Sequence, residues 1–71
     1  MKKLAKLNQV KIQKACEKGI FEDVEYIFEK EMLTLDKDGN IFYTGSLKEA
    51  KDSLFFAFRE LLALYTFHDI A

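Results

Sequence analysis

The most regular hydrophobic pattern of this chain lies in residues 20–31. Glu22 and Asp23 occupy the first turn of this segment, where a helix dipole favours negative charge. The spacing predicts an amphipathic helix over residues 20–31 with one side against a core. At 100° per residue, its apolar positions share about a third of the helix circumference: Ile20, Phe21, Val24, Ile27 and Phe28.

A preceding helix is predicted over residues 3–18, although its pattern is less regular. Leu7 lies outside its apolar arc, and residues 10–12 alternate apolar and polar positions as a strand does. The pattern leaves open whether residues 8–16 are helix or strand. A helix that begins after an Asn8 N-cap is an intermediate solution. The apolar arc itself contains Leu4, Ala5, Ile12, Ala15 and Cys16.

Residues 32–44 change to an alternating pattern that predicts a β-hairpin. Leucines at 33 and 35 alternate with other residues, and residues 41–44 are β-branched or aromatic. Between them, residues 36–40 read Asp-Lys-Asp-Gly-Asn, which is a dense turn signal with Gly39 as the left-handed residue. Since a two-stranded hairpin is marginal alone, it must lie on the helices.

The last predicted helix covers residues 46–67. Ser46 and Glu49 have the spacing of a capping box, which marks its beginning. Eleven of the fourteen residues from Leu54 to Phe67 are apolar. This is more than one core-facing stripe of a helix requires.

On a helical wheel the apolar residues of this last helix divide into two faces. A second, narrow stripe contains Phe56, Ala63 and Phe67, bordered by Arg59 and Glu60. A phenylalanine left in water forgoes roughly 1.5–3 kcal/mol of burial, so the stripe predicts an interface, unless the hairpin or the first helix covers it. The broad face, predicted to meet the core, holds Leu47, Ala50, Leu54, Phe55, Ala57, Phe58, Leu61, Leu62, Leu64 and Tyr65.

Together these elements predict a single α+β domain over residues 1–71, mostly helical, in the order α-α-β-β-α. The 71 residues are enough for one domain with a small core. The residues expected to form that core are Ile12, Cys16, Phe21, Val24, Ile27, Phe28, Leu35, Ile41, Leu54, Phe58, Leu61 and Tyr65.

Cysteine and histidine usage limits how so small a domain gains stability. The chain has one cysteine and one histidine, so no disulfide closes within a monomer and no four-ligand zinc site forms. The unpaired Cys16 and the lack of a secretion signal favour a cytoplasmic protein. Self-association, as a homodimer or larger homo-oligomer, is the remaining route to extra stability.

The segment 36–40 also resembles the opening of a calcium-binding loop. Such a loop needs glycine at its sixth position and glutamate at its twelfth, and here these are Ile41 and Leu47. We therefore expect a hairpin turn and no metal. The sequence indicates no cofactor and no catalytic residue. Cys16 lies on the predicted apolar arc, where a buried inert thiol is the commoner case, and Asp69 next to His68 points about 100° away from it on a helix.

Positive charge is concentrated in the N-terminal segment, so nucleic acid is an alternative partner. Residues 1–19 contain six lysines and one glutamate, and four of those lysines form a basic helical face if the segment is helical: Lys3, Lys11, Lys14 and Lys18. The order of elements is similar to that of some winged-helix DNA-binding domains. Against this, the helix that would enter the groove is acidic and repels phosphate.

The leading hypothesis is therefore a non-enzymatic, protein-binding or regulatory module that self-associates through its C-terminal helix. The alternative is a nucleic-acid-binding regulator that uses the basic first helix. A membrane span is not expected, because it needs about 20 apolar residues and Arg59 and Glu60 interrupt this run.

Overall fold

The computed structural model describes the backbone of residues 1–65 and the side chains of residues 1–63. Three helices and a three-stranded antiparallel sheet confirm the predicted α+β class. The predicted order lacked one element, because the chain begins with a strand. In chain order the elements are β1 (Lys2–Lys6), α1 (Gln9–Glu17), α2 (Phe21–Lys30), β2 (Leu33–Leu35), β3 (Asn40–Tyr43) and α3 (Leu47–Tyr65).

Strand β3 is the centre of the sheet and pairs antiparallel with both β1 and β2. Ile41 lies between Ala5 on one side and Leu35 on the other, and its side chain is fully buried. Alternation along β3 buries Ile41 and Tyr43 and leaves Phe42 partly exposed on the other face. The hairpin predicted over residues 32–44 is thus confirmed, and a third strand completes its sheet.

The prediction of helix over residues 3–18 is wrong for its first part. Residues 2–6 form β1, with an irregularity in register between Lys3 and Ala5. The local pattern is compatible with a helix. As a strand, however, this segment forms hydrogen bonds with β3, and such tertiary contacts override a weak local preference. Helix α1 begins after Asn8, whose side-chain Oδ1 accepts the Val10 N–H at 2.7 Å.

The core is a single cluster of buried apolar side chains from every element except β1, whose Leu4 and Ala5 pack against it. Of the predicted core, Leu54 and Phe58 are only partly buried, and the side chain of Tyr65 lies outside the described residues. The Phe58 ring contacts the Phe28 ring edge-on, with centroids 6.0 Å apart. The cluster consists of Leu7, Ile12, Phe21, Val24, Ile27, Phe28, Leu33, Leu35, Ile41, Tyr43, Ala50, Ala57 and Leu61.

Cys16 is exposed, so its assignment to the core is wrong. The elements around α1 cover only a narrow stripe of this helix, formed by Ile12 and Ala15. Cys16 lies a further 100° around the helix from Ala15. There it lines a surface hollow with Gln13 and Lys37.

A close contact between Leu7 and Gly39 joins the N-terminal segment to the hairpin turn. The Leu7 N–H donates to the Gly39 carbonyl at 2.8 Å. Gly39 has φ of +90°, and a Cβ there would lie 2.8 Å from the Leu7 carbonyl oxygen and 3.1 Å from Cγ1 of Ile12. The turn therefore requires glycine both for its backbone conformation and for the space it leaves.

We expect Gly39→Ala to destabilise the protein more than Gly19→Ala. Gly19 also has positive φ, of +73°, but a Cβ there would have no atom within 4 Å. Gly19→Ala should cost about 1–2 kcal/mol of unfolding free energy from backbone strain alone. Gly39→Ala should add roughly 1–3 kcal/mol from overpacking against Leu7. Urea unfolding of both variants measures the difference, and equal midpoints would contradict the close contact.

Candidate functional site

Helix α3 has one side in the core. The Ser46 Oγ accepts the Glu49 N–H at 3.2 Å, which confirms the predicted beginning of this helix. Ala50, Ala57 and Leu61 are buried, and α3 contacts α2, β1 and β2. The two alanines let the helix backbone lie close to these elements, because a methyl group occupies little space.

The opposite side of α3 carries an exposed apolar surface. Phe55, Phe56 and Leu62 are 61%, 53% and 52% exposed. At 100° per residue they share about a third of the circumference with Arg59 and Ala63, which are also exposed. Arg59 lies at the centre, about half a turn around the helix from Leu61. We call these five residues the outer face of α3.

The sequence-based division of α3 into two faces is partly wrong. Phe56 and Ala63 are exposed as expected, and Phe67 lies outside the described residues. Leu47, Phe55 and Leu62 were assigned to the core face and are exposed instead. The reason is that the neighbours of α3 cover a stripe narrower than half its circumference. The exposure of Phe55 and Leu62 was not predicted, because the sequence does not show how wide the covered stripe is.

The Arg59 side chain lies beside the aromatic part of the outer face. Its guanidinium carbon lies 6.0 Å from the centroid of the Phe55 ring, at the limit of a cation–π contact. The Phe55 ring in turn contacts the Phe56 ring edge-on, with centroids 6.1 Å apart. A positive charge thus lies next to a pair of exposed aromatic rings.

Beside the outer face, an ion pair joins α3 to α2. Lys30 Nζ bonds Oε1 of Glu60, and this hydrogen bond is the main reason that the pKa of Lys30 is raised above its ordinary value. Lys30 also lies 5.6 Å from the centroid of the Tyr26 ring. Glu60 lines a shallow hollow together with Glu31, Phe56 and Arg59. The hollow places two carboxylates next to the outer face.

The four lysines proposed for nucleic-acid contact do not share one helix. Lys3 lies on β1, where it pairs with Phe42 of the central strand. Lys11 and Lys14 lie on α1, and Lys18 is the residue that caps its end. The basic helical face expected over residues 3–18 therefore lacks Lys3, whereas Lys11, Lys14 and Lys18 keep their helical spacing on α1.

The turn that resembles a calcium loop uses its first carboxylate within the protein. Oδ1 of Asp36 accepts the N–H groups of Asp38 and Asn40, at 3.0 and 2.8 Å, and Oδ2 accepts the Asn40 side-chain amide at 3.1 Å. This arrangement closes the hairpin as an Asx turn. Within the described part of the chain, no group of three or more His, Cys, Asp or Glu residues is placed to hold a metal ion.

The hydrogen bonds of Asp36 determine the sign of its pKa shift. Partial burial raises the pKa of the carboxyl group, but the bonds from the Asn40 side chain and from backbone N–H groups together outweigh it. The net pKa is below the ordinary value. The folded state thus prefers the carboxylate, and the resulting stabilisation is present above the unfolded-state pKa of about 3.9.

We expect Asp36→Ala to lower the urea midpoint at pH 7, and the difference from wild type to shrink as pH falls below about 4. The contribution is lost on acidification because protonation of Asp36 removes the charged acceptor. Asp38→Ala is the matched control, since it keeps the N–H that donates to Asp36. An Asp36→Ala difference of the same size at pH 7 and pH 2.5 would contradict this assignment.

Neither the helices nor comparison with known proteins identifies a function for this chain. Among the described residues, no helix has the length and apolar character needed to cross a membrane. Protein-family models, curated proteins and solved structures give no match to this chain.

Proposed function

We propose that this protein is a small non-enzymatic module that associates with a second copy of itself through the outer face of α3. The observation that carries the proposal is the group of three large apolar side chains, Phe55, Phe56 and Leu62, each more than half exposed on one helix face. Contiguous apolar patches of this kind usually mark an interaction surface.

The energetic argument rests on the area that association would remove from water. Full burial of a large apolar side chain stabilises by roughly 1.5–3 kcal/mol. For side chains that are about half exposed, the remaining gain is roughly 1 kcal/mol each. Other exposed apolar residues, such as Met1, Val10 and Met32, lie on separate segments, where single exposed side chains are normal.

A second copy is favoured as the partner because the surface carries charges of both signs. Arg59 lies at its centre, and Glu31 and Glu60 lie in the adjoining hollow. Two copies related by a two-fold axis can therefore place the cation of each near the carboxylates of the other. Such symmetric dimers are the commonest soluble oligomers.

The alternative, a nucleic-acid-binding regulator, has less support. Its basic face on α1 keeps three of the four lysines and loses Lys3 to β1, and α2, the helix that would enter the groove, carries Glu22 and Asp23 in its first turn. The absence of enzymatic activity is part of the proposal because, among residues 1–63, no charged residue is buried. The two shifted pKa values found there, of Lys30 and Asp36, are explained by an ion pair with Glu60 and by the hydrogen bonds of the hairpin turn.

We expect sedimentation of the wild-type protein to show an average mass that rises from 8.3 kDa towards twice that value as concentration increases. Phe56→Glu should stay monomeric at every concentration, since it places a charge in the apolar contact. Its helical circular dichroism and monomer stability should match wild type to within about 0.5 kcal/mol, because the residue is on the surface.

Val10→Glu is the matched control for this experiment. Val10 is 51% exposed, against 53% for Phe56, but it lies at the beginning of α1. The control variant should dimerise as wild type does. A wild type that remains monomeric at several hundred micromolar, or a Phe56→Glu variant that unfolds, would contradict the proposed function.

A further inference from the structure

We infer that the sheet binds a single strand of nucleic acid on the face that is turned away from the helices. Lysines of β1 hold its phosphates, and the Phe42 ring stacks on one of its bases. The inference goes beyond the proposed self-association and shares no residue with the outer face of α3. We call this surface the open face of the sheet, and it consists of Lys3, Lys6, Thr34, Asn40 and Phe42.

The core uses only the other face of the sheet. The buried residues of β2 and β3 form one cluster with buried residues of all three helices. Phe42 does not belong to this cluster, and its side chain is partly exposed. Because side chains alternate along a strand, the residues that pair with Phe42, Lys3 on one side and Thr34 on the other, lie on the same face as it.

A bulge in β1 brings two lysines to the open face. Between Lys3 and Lys6, β1 has two residues, Leu4 and Ala5, where β3 has one. Leu4 and Ala5 both pack against the core, and the lysines on either side of them are both exposed. In a regular strand, positions three apart point to opposite faces. The bulge therefore aligns the two lysines, and redirection of a side chain is a common role of bulges.

The sheet separates positive from negative charge. Its three strands contain three lysines and no acidic residue. The acidic first turn of α2 belongs to the helix layer, on the other side of the sheet. In the adjoining turn, Asp36 accepts hydrogen bonds from Asp38 and Asn40. A nucleic acid strand carries a negative charge at each phosphate, and its contact with lysines releases counterions. The charge of the open face therefore complements that of the strand.

The aromatic ring at the centre of the open face favours a single strand over a duplex. Lys3 lies directly opposite Phe42, with Cβ atoms about 5 Å apart, so a phosphate bound to Lys3 places its base next to the ring. Only an unpaired, unstacked base is free to stack on a protein ring. This mode places no helix in a groove, so the acidic α2 does not oppose it as it opposes duplex binding.

The exposed Met1 side chain extends the same surface. Its Sδ lies 3.5 Å from Oγ1 of Thr34, which places the thioether on the open face. A flexible thioether is well suited to contact a base edge. Since phosphate and the π-face of a base are common to DNA and RNA, we expect little dependence on sugar or sequence.

Fluorescence anisotropy of a labelled single strand of about 12 nucleotides tests the stacking contact. We expect wild type to bind it with a dissociation constant of about 1–100 µM at low salt, and the matching duplex at least fivefold more weakly. DNA and RNA strands should differ by less than about threefold. Phe42→Thr, which keeps a strand-forming residue, should weaken single-strand binding at least fivefold, and Phe42→Tyr should bind as wild type does.

Salt dependence tests the two lysines and does not depend on the Phe42 variants. Each phosphate contact to a single strand contributes about 0.7 to the slope of log affinity against log salt concentration. The double variant Lys3→Gln/Lys6→Gln should therefore reduce the slope by about 1.4. Lys48→Gln/Lys51→Gln is the matched control, since it removes the same charge from α3 and should leave the slope unchanged.

The outcomes separate this inference from the proposed function. Equal slopes for the two double variants would overturn the role of the β1 lysines. A duplex bound as tightly as the single strand, or a folded Phe42→Thr variant that binds as wild type, would overturn the stacking contact. Phe56→Glu should bind the strand as wild type does. A wild type that dimerises but binds no strand at low salt would overturn this inference and leave self-association intact.

Discussion

Among residues 1–63, only one side of α3 is covered by the other elements, and this limit decides which apolar side chains of the helix are exposed. The elements that α3 contacts, a ten-residue helix and a sheet of short strands, present an apolar surface that Ala50, Ala57 and Leu61 fill. A domain of this size buries a smaller fraction of its surface on folding than a larger protein does. The apolar residues opposite that stripe, Phe55 and Phe56 among them, are therefore left in water.

The sheet is arranged so that its own edges are poor surfaces for association. One edge is β1, in which three of five residues are lysines, and charged edge strands resist pairing with another chain. The other edge is β2, which has only three residues. Contact between Leu7 and Gly39 fixes β1 and α1 relative to the hairpin. The outer face of α3 is the broad apolar surface that these arrangements leave open.

The parts of the fold that sequence could predict are those with strong local signals. The amphipathic spacing of α2, the turn at residues 36–40 and the Ser46 cap each depend on neighbours within a few residues. Strand β1 could not be predicted, because it exists through pairing with β3, about forty positions away in the chain.

The candidate site likewise has a part that local sequence could predict and a part that it could not. The spacing of Phe56 and Ala63 indicated a second apolar stripe, and the structure exposes both residues. The pattern could not show that Phe55 and Leu62 belong to the same surface, because their exposure depends on how wide a stripe the rest of the chain covers. Cys16 was misplaced for a similar reason, since α1 buries only Ile12 and Ala15.

The central claim is that the outer face of α3 contacts a second copy of the protein. Side-chain NMR spectra recorded over about a hundredfold range of protein concentration test it most directly. We expect concentration-dependent shifts in the ring signals of Phe55 and Phe56 and the methyl signals of Leu62 and Ala63, with Leu61 unchanged. Signals of the outer face that stay constant over that range would contradict the account.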